Sequence, residues 1–227
     1  MSSLPSPPFV AVDGVSNFRS IGGLPLEHPP SAPKRSTRHS LIFRSADPYR
    51  LTPAGSATLR SLDIATVFDL RSQPELSRQP PAIDALAAAG ARLRATPIFP
   101  HEDWSPEAIA SRHGDYAASA TTAGYVRAYA RILEHAGTAL REMLLHVRDH
   151  RPGTALLCHC SAGKDRTGVV VAVLLKLAGC SDRVVAREYE LTELGLAGRR
   201  QFIIDYLLAK PEIGDDRTKA ERVAGAR

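Results

Sequence analysis

The stretch HCSAGKDRTG, residues 159–168, lies between two apolar runs and constrains the chain more than any other feature. Ala155, Leu156 and Leu157 before it read as a short buried strand. Residues 169–177 after it are apolar on every side apart from Lys176, which marks a helix packed into a core. A loop joining such a strand to such a helix lies beyond the carboxyl end of the strand, where ligands of α/β sheets gather. Ser161, Ala162 and Gly163 are small, so the backbone can curl tightly and turn successive amides inward between Cys160 and Arg166. Such a nest holds an anion, and the positive end of the following helix adds to it. A thiol at Cys160, beside that helix end and the cations of Lys164 and Arg166, is favoured as the nucleophilic thiolate. Arg166 brings a planar fork that can hold two oxygens of the anion. Thr167 is placed to hydrogen-bond the sulfur, and His159 to orient the loop through its ring nitrogens.

The rest of the chain alternates between strand-like and helix-like segments. Residues 9–12 read as an edge strand, 41–43 as a short strand, and 64–70, IATVFDL, as a buried strand rich in branched residues. Arg92 to Thr96 (92–96) suggests another. Thr52 followed by Pro53 predicts a capped helix start, and residues 81–89 a further helix. Val126, Tyr129, Leu133, Leu140, Leu144 and Val147 recur at helical spacing, with Gly137 dividing that segment in two. Ser181 caps a helix, and RRQFIIDYLLA forms a last amphipathic one. This alternation over 227 residues predicts one α/β domain, residues 9–210, whose central, mostly parallel sheet is flanked by helices. Residues 1–8 are expected to be loose, 97–124 to form a helical lid-like insertion, and 211–227 to be a frayed polar tail.

The spacing Cys-x5-Arg followed by Thr resembles the signature of the tyrosine and dual-specificity phosphatase superfamily. GKDRTG is most similar to its bacterial and fungal branch of atypical tyrosine phosphatases. NFRSIGG from Asn17, FRSADPYRLT from Phe43 and DLRSQPE from Asp69 resemble that branch's upstream signatures, in the same order. The resemblance covers the chain from about Asn17 to Thr192. It implies a protein-tyrosine-phosphatase-like fold and two-step phosphomonoester hydrolysis through a phosphocysteine intermediate, with no metal and no cofactor. Cys160 maps to the nucleophile and Arg166 to the phosphate-binding arginine. Ser161, Ala162, Gly163, Lys164 and Asp165 map to positions that cradle phosphate. The substrates implied are phosphotyrosine protein first, with phosphoserine/threonine protein and phosphoinositide as alternatives.

The leaving oxygen needs a general acid, and three aspartates compete. Asp165 lies within the cradle, Asp69 ends a buried strand, and Asp103 sits in the lid-like segment. Lys164 is either a second phosphate-binding cation or a solvated lysine. Arg44 and Arg71 follow strands and either border the mouth or tie strand ends to carboxylates. Trp104 and Tyr125 are candidates for a substrate pocket or for core packing.

A rhodanese-type sulfurtransferase also uses a cysteine loop, but has no need of Arg166 and Thr167. A catalytically silent phosphate-binding module usually lacks the cysteine or the arginine, and both are present. Cys158 and Cys180 read as buried residues; Cys158 next to Cys160 has no second ligand pair to make a zinc site. Three cysteines do not make a disulfide framework, which suits a reducing compartment, cytoplasmic or nuclear. The net charge of +5, from 29 basic and 24 acidic residues, draws anions without specifying them. Lys34, Arg35, Arg38 and His39 sit in a Pro/Ser-rich loop and do not make a nucleic-acid site. The apolar run at 169–175 is too short for stable membrane insertion.

Overall fold

The computed structural model describes residues 4–29, 31, 33–101, 123–149, 151–209 and 215–224. Their strands are β1 (Arg19–Ser20), β2 (Ile42–Ser45), β3 (Ile64–Asp69), β4 (Arg92–Ala95) and β5 (Ala155–His159). They form one sheet in the order β1-β2-β5-β3-β4, in which only β1 runs antiparallel to its neighbour. Central β5 is buried along its whole length, as expected of a parallel strand covered on both faces. Its side chains alternate between two cores. Leu156, Cys158 and Cys160 join one with Phe68 and Leu70, while Ala155 and Leu157 join the other with Ile64 and Val67.

The helices are α1 (Pro53–Ser61), α2 (Gln73–Arg78), α3 (Ile83–Ala88), α4 (Ala123–His135), α5 (Gly137–Arg148), α6 (Asp165–Ala178), α7 (Asp182–Leu196), α8 (Arg200–Leu208) and α9 (Arg217–Ala224). Thr52 caps α1, its hydroxyl accepting from Gly55 N at 3.1 Å, and the Ser181 hydroxyl accepts from Val184 N. Gly179, in the left-handed region, stops α6. α4 and α5 separate next to Gly137, as the sequence predicts. The mixed α/β class with a mostly parallel sheet is the one the alternation indicates.

Two local expectations are corrected. Residues 9–12 contribute only isolated bridges, Phe9 to Arg19 and Val12 to Val15, and the antiparallel edge strand is Arg19–Ser20. Phe9 and Val12 are drawn into the core as loop residues instead. In the α4–α5 segment, Val126, Leu133 and Leu144 are 64%, 49% and 39% exposed. The face turned to the core carries Ile132, Ala136, Ala139 and Met143, with Tyr129, Leu140 and Val147 of the predicted set packed against them, and the small side chains let the helices approach closely. α2 is an element without an apolar period; its signal is the capping box of Ser72 and Glu75. Within residues 211–227, Arg217–Ala224 forms α9, packed beside α8, with Ala220 fully buried. Residues 102–122, which include Asp103, Trp104 and most of the lid-like insertion, lie outside the described residues.

Candidate active site

β5 delivers Cys160 to the end of the sheet, and α6 begins five residues later at Asp165. Between them the loop makes its turn at Gly163, whose φ is +64°. A Cβ there would collide with the carbonyl oxygen of Ser45 at the end of β2, so only glycine lets the loop lie against the sheet. Each carbonyl from Ser161 to Lys164 has a donor. Asp47 N donates to Ser161 O at 3.1 Å. Asn17 Nδ2 donates to Ala162 O at 3.2 Å and Gly163 O at 3.1 Å, and Arg44 Nη2 donates to Gly163 O at 2.7 Å. Gly168 N closes on Lys164 O at 2.7 Å. Carbonyls held toward the scaffold are the complement of a loop whose amides face the other way.

The donors are themselves held. Glu188, on α7, accepts from Arg19 Nε at 2.7 Å and from Arg44 Nη1 at 2.6 Å. Arg19 also bonds the side-chain oxygen of Asn17, which fixes the amide so that Nδ2 faces the loop. Arg19 and Arg44 are both fully buried, and unpaired charges there would cost several kcal/mol. Burial pulls Arg19 down to about 10, against the upward pull of Glu188. Arg44 is therefore tied beneath the loop, away from the mouth. Arg71 likewise binds carboxylates: its Nη2 donates to Asp69 Oδ2 at 2.7 Å, and its Nη1 to Asp47.

Cys160 is 3% exposed and Arg166 2%. Arg166 makes a two-pronged bridge to Glu75 on α2, Nη1 to Oε2 at 2.6 Å and Nη2 to Oε1 at 2.7 Å. Ser161 Oγ donates to the same carboxylate, which also accepts from Ser72 N at 2.9 Å and Ser72 Oγ at 2.8 Å. Burial pushes the Glu75 carboxyl up, but the Arg166 guanidinium and these hydrogen bonds outweigh it and hold it at about 2. Glu75, like Glu188, is a site residue that the sequence reading does not single out. Its trace is the Ser72-to-Glu75 capping box inside DLRSQPE.

Asp69 is fully buried, with Arg71 Nε 3.0 Å from both of its oxygens and His159 Nε2 3.8 Å from Oδ2. Burial pushes its carboxyl up, but the His159 ring and Arg71 more than offset this and hold it below its ordinary value. It braces Arg71 and the base of the loop. Asp165 is only partly buried and opens α6. Its Oδ1 accepts from Tyr129 Oη at 2.7 Å. His159 is buried at the base of the loop, with Nδ1 3.2 Å from Cys160 O. The Thr167 hydroxyl is buried without a hydrogen-bond partner, so its predicted bond to sulfur is not formed. Lys164 is 6% exposed, which removes the solvated-lysine reading. Cys158 and Cys180 are buried, and Cys158 has its thiol pushed up by burial. Tyr125 lines an apolar groove between α4 and α6.

A family model described as the tyrosine phosphatase family matches residues 10–222. The chain is 33% identical over 191 residues to the triple specificity protein phosphatase PtpB of Mycobacterium tuberculosis, covering 78% of this chain and 66% of the relative. It is 28% identical over 159 residues to a tyrosine-protein phosphatase of Nostoc commune, covering 70% and 50%. It therefore spans two-thirds or less of those relatives' lengths. Among solved structures, P. aeruginosa TpbA aligns with a TM-score of 0.39 at 16% identity, over 87% of this chain and 96% of that one. With nearly its whole described length matched by the family model, and the cysteine loop seated at the end of the central strand, the chain belongs to the tyrosine phosphatase family.

Proposed function

We propose that the chain hydrolyses phosphomonoesters through a phosphocysteine intermediate, with Cys160 as nucleophile, Arg166 as phosphate-binding arginine and Asp165 as general acid. The observation that carries this reading is the loop's construction. Four consecutive carbonyls are tied to the scaffold between Cys160 and an arginine that Glu75 holds in place. The amide side of Ser161, Ala162, Gly163, Lys164, Asp165 and Arg166 then cradles the phosphoryl oxygens, with the α6 N-terminus adding its field. In the first step the Cys160 sulfur attacks phosphorus in line; the S–P bond forms, the P–O bond breaks, and Asp165 gives its proton to the leaving oxygen. In the second, water attacks phosphorus, the Asp165 carboxylate takes its proton, and the thiolate leaves. Asp165 is preferred to Asp69 because Asp69 faces Arg71 with both oxygens, whereas Asp165 is partly exposed beside the loop. Asp103 lies outside the described residues.

Phosphotyrosine protein is the leading substrate class, with phosphoserine/threonine protein and phosphoinositide beside it; the mycobacterial relative's name carries triple specificity. No helix among the described residues is long and apolar enough to cross a membrane. The test is phosphate release from p-nitrophenyl phosphate by wild type and Cys160→Ser, with chelator present. Turnover in wild type alone, with trapping of a cysteine-bound phosphoryl group, is the expected result. Equal turnover in both removes Cys160 as nucleophile, and tight phosphopeptide binding without turnover in either makes the chain a silent binding module.

A further inference from the structure

Three helices bring their side chains together at Asp165. Tyr129 comes from α4 and Tyr189 from α7, and Asp165 begins α6. Tyr129 Oη donates to Asp165 Oδ1 at 2.7 Å and lies 2.5 Å from Tyr189 Oη. Burial and the neighbouring Asp165 charge push both phenols up, so both keep their protons. A phenol has one hydrogen to give, and that of Tyr129 goes to the carboxylate. Tyr189 must then donate to the Tyr129 oxygen, and the chain runs Tyr189 to Tyr129 to Asp165. The Tyr189 ring is itself fixed. It lies over Gly168 so closely that a Cβ there would come within 2.7 Å of Cε2, and it meets the Tyr129 ring edge-on with centroids 6.2 Å apart. Phenylalanine would pack equally well at either place. Two part-buried hydroxyls are expensive to desolvate unless they bond one another and a third group.

We propose that Tyr129, braced by Tyr189, is a positioning residue that aims the Asp165 carboxyl at the leaving oxygen; this rests on the reading of Asp165 as the general acid. An oxygen that accepts the Tyr129 hydrogen bond is a poor place for the acid proton. The proton is therefore carried on Oδ2, and the carboxyl is held in one rotamer with that oxygen directed away from the tyrosines. Without the phenol the carboxyl rotates about its side-chain bonds, and the proton is misdirected in most of its orientations. The attack by Cys160 is untouched, so a leaving group that departs without protonation does not register the loss.

The test compares Tyr129→Phe, Tyr189→Phe and Asp165→Asn on p-nitrophenyl phosphate and on an alkyl phosphate, with thermal melts to verify folding. Tyr129→Phe is expected to lower kcat on the alkyl ester by about tenfold or more, because the acid proton is no longer held in the productive orientation. KM and the nitrophenyl rate should hold. Tyr189→Phe, which keeps the bond to Asp165 and loses only its brace, should show a smaller loss of the same kind. Tyr129→Phe should add nothing in an Asp165→Asn background. If Asp165→Asn is selective for the alkyl ester and Tyr129→Phe is not, the positioning role is overturned while the acid assignment stands. If Asp165→Asn slows both esters equally, the acid assignment falls and the positioning role with it.

Discussion

Replacing Glu75 by glutamine keeps the side chain's size and removes the carboxylate that bridges Arg166 with both oxygens. The wild-type carboxyl stands at about 2 instead of 4.5, since Arg166 and the hydroxyl and amide donors outweigh the opposing effect of burial. A gap of roughly 2.5 pH units corresponds to about 3 kcal/mol of folding stability. That agrees with the ~3–5 kcal/mol expected for removing one partner of a buried ion pair. The sign follows from the direction of the shift. A carboxyl depressed in the folded state contributes fully above its unfolded value of 4.5, and its contribution fades as pH falls through about 2. Wild type should therefore exceed Glu75→Gln by about 3 kcal/mol near neutral pH, by roughly half of that near pH 3, and by almost nothing below pH 2. Urea unfolding of both proteins across that range reads the difference directly, and every other carboxylate cancels in the pairwise subtraction. A difference that stays constant with pH, or one under about 1 kcal/mol at neutral pH, would falsify the view of Glu75 as the charged clamp on Arg166.

Two further substitutions test the loop. Gly163→Ala forces a side chain into the left-handed region and against the Ser45 carbonyl, with a cost of about 1–3 kcal/mol for the strain alone. Turnover should fall more than tenfold together with the melting temperature, and an alanine variant as active as wild type would mean that the loop does not close against β2. Lys164→Ala removes a buried cation from within the loop. A loss of about tenfold on phosphoinositide vesicles, with phosphotyrosine peptide turnover largely kept, marks Lys164 as the contact for a second phosphate; equal losses on both substrates rule out that role.

The strands were legible where a parallel sheet makes its own signal. IATVFDL and the apolar run before Cys160 could hardly be buried on both faces in any other way. α1 and α7 were legible at their caps, Thr52 and Ser181. α4 and α5 were legible as helices but not in orientation. The centre of their core face is built from alanines, Ile132 and Met143, with Leu140 and Val147 packed at its edge, while Val126 and Leu133 turn toward the groove beside α6. Hydrophobic periodicity weighs large side chains, whereas close packing against a sheet selects small ones. α9 is polar by composition and is fixed by its contact with α8, a tertiary effect that no local pattern encodes.

The residues of the site divide along the same line. Cys160, Arg166 and the small loop residues are legible because their chemistry depends on spacing along the chain. Glu75, Glu188, Tyr129 and Tyr189 act across 36 to 169 residues of separation, so their spacing carries no message. Yet they explain why the three upstream motifs exist. NFRSIGG supplies Asn17 and Arg19, FRSADPYRLT supplies Arg44 and Asp47, and DLRSQPE supplies Asp69, Arg71 and Glu75. Each motif places a polar side chain, a backbone donor or a carboxylate against the same loop or its supports. A cysteine loop that must offer its amides to an anion has to dispose of its carbonyls inside a protein where water cannot reach them. Buried arginines meet that need at the cost of desolvation, and buried glutamates offset the charge that the arginines bring. The motifs are therefore one device distributed over four segments, and the loop cannot be grafted elsewhere without them.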